Sequence, residues 1–140
     1  MTLEETQQEV IEEFEIFDDW MDKYNFLIEQ SKELPLIDQK YKTKEYIIEG
    51  CQSKVWLHAD FVDGKVIYTA DSDAIITKGI VALLIRILSS RKPDEIINSN
   101  LDFIEKTGLR QNLSPTRSNG LLSMIKQMKL YAIAYKAKNS

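Results

Sequence analysis

The chain has 140 residues, of which 44% are apolar and 29% charged, and its formal net charge is −4. This length favours a single domain over residues 1–140 with a substantial core, and no apolar stretch approaches the ~20 residues that span a membrane. The eighteen Lys and Arg residues form no basic stripe with interleaved aromatic residues, so neither a membrane nor nucleic acid is an expected partner.

The N-terminal part of the chain, up to Pro35, predicts two helices. The motif Thr2-Leu3-Glu4-Glu5 has the spacing of a capping box, and apolar residues follow it at helical intervals, at Val10, Ile11, Phe14 and Phe17. Asp18 or Asp19 is placed to cap a second helix, which ends before Pro35. We expect these two helices to pack as a hairpin.

The middle of the chain predicts a small antiparallel sheet. Apolar and polar residues alternate over residues 55–61, Asp63-Gly64 supplies a two-residue turn, and the alternation returns over residues 66–70. We expect residues 46–49 to form a third strand. Cys51 then lies in the loop between that strand and the hairpin.

The C-terminal half predicts mainly helices. Asp71-Ser72-Asp73 offers capping oxygens to a helix whose apolar residues, from Ile75 to Leu88, wrap widely enough to indicate burial. Pro93 opens a short helix, a second short helix holds residues 101–104, and Ser114-Pro115 begins the last helix.

Cys51 is the only cysteine, so it cannot form an intramolecular disulfide or hold a metal by itself. The acidic N-terminus lacks the character of a secretion signal, which favours a reducing, cytoplasmic compartment where a thiol persists. The loop position and the neighbours Gly50, Gln52 and Ser53 favour a reactive role, although a lone cysteine is commonly a buried apolar residue. Acidic residues such as Glu49 and apolar flanks should raise the pKa of the thiol and shield it.

His58 is the only histidine, so a cysteine hydrolase or acyltransferase would have to pair Cys51 with His58. The alternation instead favours a histidine on the strand surface. A third interpretation is a binding module with a structural cysteine. The run at Asp71 begins like a calcium loop but has Ile76 and Ala82 where glycine and an acid are required. The sequence therefore predicts neither a metal nor a cofactor.

Three segments, in this order and spacing, resemble the SufE family of cysteine desulfurase sulfur acceptors. They are Gly50-Cys51-Gln52-Ser53-Lys54-Val55-Trp56-Leu57, then Asp71-Ser72-Asp73-Ala74 with Lys78-Gly79, and Leu113-Ser114-Pro115-Thr116-Arg117-Ser118-Asn119-Gly120-Leu121. Trp20, Lys23-Tyr24 and Leu34-Pro35 extend the resemblance toward the N-terminus, so that it covers nearly the whole chain.

The resemblance implies an α/β (α+β) fold in which a three-stranded antiparallel sheet is covered by helices, as in scaffold proteins of the IscU type. It implies that Cys51 accepts persulfide sulfur from a SufS-like cysteine desulfurase, stimulates that enzyme, and passes the sulfur to a SufBCD-like iron–sulfur assembly scaffold. Pyridoxal phosphate belongs to the desulfurase. The resemblance also places Asp73 and Arg117 near the thiol loop, on the surface that faces the desulfurase. It leaves open whether the chain corresponds to SufE or to its CsdE-type paralogue.

The presence of only one cysteine and one histidine in the sequence also bears on this role, independently of the resemblance. A protein that holds an iron–sulfur cluster alone typically supplies four thiolate or imidazole ligands to it. The chain is therefore suited to relaying sulfur and not to holding a cluster by itself.

Overall fold

A computed structural model describes residues 1–139 of the protein. Two short 3₁₀ turns, Gln39–Tyr41 and Lys44–Tyr46, precede the sheet. The helices and strands, in chain order, are α1 Leu3–Glu15, α2 Trp20–Ser31, β1 Val55–Val62, β2 Lys65–Ser72, α3 Ile75–Leu88, α4 Pro93–Ile97, α5 Phe103–Lys106 and α6 Pro115–Lys138. No helix within the described residues combines the length and apolar character needed to cross a membrane.

The N-terminal helices begin where the sequence predicts. The Thr2 hydroxyl accepts a hydrogen bond from the Glu5 amide at 3.1 Å, and the Glu5 carboxylate accepts one from the Thr2 amide at 3.0 Å, which completes the capping box. The two helices do not pack along their lengths as a hairpin. Phe14 of α1 meets Phe26 of α2 near the connection, with ring centroids 5.2 Å apart, whereas the main partner of α2 is α3.

The predicted β-hairpin is confirmed. Strands β1 and β2 pair in antiparallel fashion, with Val62 opposite Lys65. Asp63 and Gly64 have φ values of 52° and 79°. Positive φ at both central residues is the requirement of a type I′ turn, whose twist matches that of the strands.

The sheet has two strands and not the expected three. Residues 46–49 contribute one isolated bridge, between Ile47 and Trp56, where the Ile48 amide donates to the Val55 carbonyl at 2.8 Å. The rings of Tyr41 and Tyr46 pack over His58 on the outer face of β1. The β1 carbonyls that would continue this ladder, those of Leu57 and Ala59, accept from the Tyr131 and Tyr135 hydroxyls of α6, so the ladder does not extend. The mixed α/β class is nevertheless confirmed.

Helix α3 is the central element of the core, with ten of its fourteen residues buried. It packs against α2 on one side, and it also contacts β2 and α6. Its predicted cap is wrong: Ala74 occupies the N-cap position, and no side chain caps the helix. The Asp71-Ser72-Asp73 oxygens bind other groups, described below.

Helix α6 is fastened along the free edge of β1. The Ser114 hydroxyl caps it by accepting from the Arg117 amide at 3.3 Å, as predicted. Near its other end, the hydroxyls of Tyr131 and Tyr135 donate to the β1 carbonyls of Leu57 and Ala59 at 3.0 and 2.7 Å. Its N-terminal end is thereby held beside the loop that carries Cys51.

Candidate functional site

Residues 50–54, here called the thiol loop, are anchored at their C-terminal end by the segment before α3. The Lys54 amide donates to the Asp73 carboxylate at 3.0 Å, and the Asp73 amide donates to the Lys54 carbonyl at 3.2 Å. The Ser72 hydroxyl also donates to the Lys54 carbonyl, at 2.9 Å. Asp73 therefore anchors the loop. It does not cap α3 because its carboxylate is engaged by the Lys54 backbone.

The N-terminal end of the thiol loop depends on glycine. Gly50 has a φ of +91°, a conformation that L residues rarely adopt. A Cβ atom at this position would also lie 2.6 Å from the Ser123 hydroxyl oxygen of α6. Gly50 thus allows the loop to turn closely against α6 before it reaches Cys51.

The Cys51 side chain is half-buried between the thiol loop and α6. Its Sγ lies 3.7 Å from the Gly120 carbonyl oxygen, to which the thiol donates a weak hydrogen bond. A Cβ atom on Gly120 would lie 3.4 Å from Sγ, so the absence of a side chain there leaves room around the sulfur. Burial raises the pKa of the Cys51 thiol above its usual value. The direction agrees with the expectation, and burial is one of the two causes that were expected.

A cavity of about 70 Å³ adjoins Cys51. A single water molecule needs roughly 10–15 Å³ measured in this way, so the cavity can hold an additional atom of the size of sulfur. Its lining comes from the thiol loop and from the N-terminal turns of two helices, and comprises Cys51, Gln52, Ser53, Thr77, Ile80, Thr116, Arg117, Gly120 and Met124.

The cavity brings together some of the predicted site residues. Gln52, Ser53 and Arg117 line it with Cys51, whereas Gly50 and Asp73 act on the shape of the loop from outside. Thr77, Gly120 and Met124 also line the cavity, and the sequence assigns no functional role to them. Thr77 is recognisable as a polar residue within the apolar stretch of α3, but the approach of Gly120 and Met124 to Cys51 depends on packing that no local pattern indicates.

Arg117 is the only charged residue among the described residues that line the cavity. Its side chain is exposed and forms no ion pair within residues 1–139. By contrast, Asp71 binds both Lys42, at 2.9 Å, and Lys78, at 3.4 Å. The open side of the site therefore has an uncompensated positive charge.

His58 does not line the cavity. It lies on the outer face of β1, as predicted, but it is covered: its ring stacks on Tyr41 with centroids 3.7 Å apart, and 9% of the residue is exposed. Its Nδ1 lies 3.8 Å from the carboxylate of Asp60. The histidine is thus held by aromatic packing away from the thiol cavity. Within residues 1–139 no group of three or more His, Cys, Asp or Glu is arranged to hold a metal ion.

Comparison with solved structures supports the fold. The chain is similar to a hypothetical protein from Thermus thermophilus, known from a solution structure, with a TM-score of 0.77. The match covers 96% of this chain and 97% of the other, at 21% sequence identity. At that identity the likeness concerns the architecture alone.

Sequence relatives extend the comparison to a family. The chain is 42% identical over 132 residues to SufE-like protein 1, chloroplastic/mitochondrial, of Arabidopsis thaliana, covering 94% of this chain and 36% of that protein. It is 39% identical over 139 residues to an uncharacterized SufE-like protein of Synechocystis, covering 99% of this chain and 87% of that one. Thus it spans about a third of the plant protein and most of the cyanobacterial one.

The family model described as SufE, Fe-S metabolism associated domain, matches residues 8–132. This range contains Cys51, its cavity and nearly all of the core. The chain belongs to the SufE family, whose members are associated with Fe–S metabolism.

Proposed function

We propose that the protein is a sulfur carrier that accepts persulfide sulfur on Cys51 from a SufS-like cysteine desulfurase, stimulates that enzyme and delivers the sulfur to a SufBCD-like assembly scaffold. One observation supports this most directly. The only thiol of the chain lies half-buried beside a cavity of about 70 Å³ that is large enough for one more sulfur atom.

The transfer is a thiol exchange that needs no external oxidant. The Cys51 thiolate attacks the terminal sulfur of a persulfide on the desulfurase, and a bond forms between that sulfur and Sγ. The sulfur–sulfur bond of the donor breaks, and the donor cysteine leaves as a thiolate. The proton that Cys51 loses to become a thiolate passes to solvent and can then protonate the departing thiolate of the donor. In the second transfer an acceptor thiolate attacks the same terminal sulfur, and Cys51 leaves as a thiolate.

Before sulfur is bound, the site is suited to protecting the Cys51 thiol and not to fast reaction of that thiol. Burial raises the pKa of Cys51, so at neutral pH the group is mainly the less reactive thiol, which resists stray oxidation. Docking of the desulfurase would then open or complete the site. We place Asp73 and Arg117 at that docking surface: Arg117 is exposed without an ion pair among the described residues, and Asp73 controls the loop that must move.

The hydrolase alternative has no supporting geometry. A cysteine hydrolase needs a base within hydrogen-bond reach of the thiol, but His58 does not line the cavity and instead stacks on Tyr41. A lowered thiol pKa would also serve such an enzyme, whereas the pKa of Cys51 is raised. A sulfur carrier needs no such base, and a raised pKa keeps its thiol protected until a partner docks.

The decisive experiment combines the protein with a desulfurase from the same cell and free cysteine. Mass spectrometry should detect an added sulfur on the peptide that contains Cys51, and a reductant should remove it. Cys51→Ser should fold and bind the desulfurase without stimulating it. Val62→Ser, an exposed change at the far end of β1, is the control and should retain sulfur loading.

Thiol alkylation distinguishes the sulfur carrier from the remaining interpretation, a binding module with an inert cysteine. For a carrier, alkylation of the folded protein should be slower than that of a small thiol at neutral pH, accelerate as pH rises, and quicken when the desulfurase is added. A thiol that reacts only on unfolding, together with the lack of any persulfide, would rule out the carrier. Stimulation of the desulfurase by Cys51→Ser would also contradict it.

A further inference from the structure

Thr77 is a buried polar residue whose hydroxyl has no partner among the described residues. It is the third residue of α3, only 6% of it is exposed, and it lines the cavity beside Cys51. No hydrogen bond joins its side chain to any described residue, whereas Thr6 and Thr107, which are similarly buried, donate to helix carbonyls at 3.0 and 2.7 Å. An unpaired hydroxyl in such a place is unusual.

The Thr77 hydroxyl oxygen is not fully enclosed by the protein. Among the described residues, every fully enclosed side-chain nitrogen or oxygen has a hydrogen-bond partner. Because the Thr77 oxygen has none, it is not fully enclosed, and Thr77 is one of the residues that line the cavity beside Cys51. A small group that extends from Sγ into this space would meet a hydroxyl able to donate.

The surroundings of the cavity favour a negative charge on such a group. Thr77 belongs to the first turn of α3, which no side chain caps, and Arg117 belongs to the first turn of α6. The N-terminal turn of a helix carries a partial positive charge that stabilises anions close to it. No acidic residue lines the cavity within the part of the chain that is described.

We propose that Thr77 positions the terminal sulfur of the Cys51 persulfide by donating a hydrogen bond from its hydroxyl to the sulfur anion in this cavity. The proposal rests on the proposed function. In the resting protein the Cys51 thiol donates to the Gly120 carbonyl, which leaves Thr77 without a partner in the described part of the chain. Once a second sulfur is bound to Sγ, the charge lies on the terminal atom inside the cavity, where the hydroxyl can bind it. Thr77 therefore serves the loaded form and not the thiol.

The test uses Thr77→Val, which keeps the shape of the side chain and removes the hydroxyl, and Thr77→Ser, which restores the hydroxyl. Purified full-length protein is loaded with inorganic polysulfide, independently of any desulfurase. The Cys51 thiolate attacks the polysulfide chain, one sulfur–sulfur bond breaks, and a shorter polysulfide leaves. Alkylation of the terminal sulfur is then followed as a function of pH.

Loss of a hydrogen bond to an anion should lower the ratio of persulfide anion to neutral persulfide about tenfold at a given pH, which moves the midpoint of the alkylation profile up by about one pH unit in Thr77→Val. Thr77→Ser should restore the wild-type midpoint. Alkylation of the unloaded thiol and the melting temperature should change little, which a purely structural role of Thr77 would not predict. Thr77→Ala supplies a second variant without the hydroxyl if Thr77→Val folds poorly.

An unchanged midpoint in both variants that lack the hydroxyl would overturn the role of Thr77 and leave the carrier function intact. Loading by polysulfide without loading by any desulfurase would instead reject the proposed function, while the Thr77 measurement would still stand. If the wild-type protein held no persulfide from either source, both proposals would be wrong.

Discussion

Two regions of the molecule each contain one glycine and one arginine that matter to them: the contact between α2 and α3, and the thiol cavity. The two regions use these residues in opposite ways. At the first region, a Cβ atom on Gly79 would lie 2.7 Å from the Leu27 carbonyl carbon and closer still to its oxygen. Arg86, further along α3, binds two carboxylates and one amide, those of Glu9, Glu13 and Gln30.

At the thiol cavity, the glycine is less tightly packed and the arginine forms no ion pair among the described residues. Gly120 would place a Cβ atom 3.4 Å from Cys51 Sγ, an ordinary contact distance. Arg117 is exposed and has no ion pair among the described residues. The first region thus uses its packing and charge to hold α1, α2 and α3 together. The second retains space and charge, and these are the properties that a bound sulfur or a docked protein requires.

The largest expected effect is on the α2–α3 contact. Gly79→Ala should lower the free energy of unfolding by about 3 kcal/mol or more, because the new methyl group meets backbone atoms that cannot rotate away. Gly120→Ala is the matched control and should change stability by less than about 1 kcal/mol, since alanine favours a helix and the new contact is tolerable. Urea denaturation of both variants measures the difference. Similar losses in both would remove the contrast between the two regions.

The second expected effect concerns Arg86. Arg86→Met should lower the free energy of unfolding by about 2 kcal/mol, because Glu9 and Glu13 would face each other without a countercharge. The expected loss lies below that for a fully buried pair, since 27% of the Arg86 side chain is exposed. Arg86→Lys keeps the charge but loses the planar guanidinium, so its free energy of unfolding should lie between those of the wild type and Arg86→Met. Denaturation at low and high salt should show a smaller loss at high salt.

Elements set by local chemistry could be predicted from the sequence. The Thr2 capping box, the Asp63-Gly64 turn and the Ser114 cap each depend on residues within three or four positions, and each forms as expected. Helix α3 is predictable for the same reason, since its apolar residues are periodic. The family resemblance further identifies the loop that carries Cys51.

The errors occur where two partners compete for the same group. The sequence predicts that Asp73 caps α3, but the Lys54 backbone binds its carboxylate. It also predicts a strand over residues 46–49, but Tyr131 and Tyr135 bind the β1 carbonyls that would extend the pairing beyond one bridge. For a related reason, neither the cavity nor the position of Thr77 within it could be derived, because they arise from three segments distant in sequence.

The third prediction concerns the anchor of the thiol loop. Asp73→Ala removes the acceptor of the Lys54 amide and should cost about 1 kcal/mol of stability. It should also accelerate alkylation of Cys51, because a loosened loop exposes the thiol. Asp73→Asn retains an acceptor oxygen and should behave much like the wild type. Equal alkylation rates in Asp73→Ala and wild type would show that the anchor does not control access.

The smallest expected effect is that of Arg117 on folding, and it provides the sharpest contrast with Arg86. Arg117→Ala should change the free energy of unfolding by no more than about 0.5 kcal/mol. Its guanidinium has no ionic partner within residues 1–139, and it lies in the first turn of α6, where the helix dipole opposes a positive charge. Urea denaturation beside Arg86→Met makes the comparison direct. A loss of about 2 kcal/mol would show that Arg117 stabilises the fold, and its assignment to the docking surface would lose its main support. An unchanged stability would leave the positive charge available to a partner, since residues that contribute nothing to folding can be used entirely for binding.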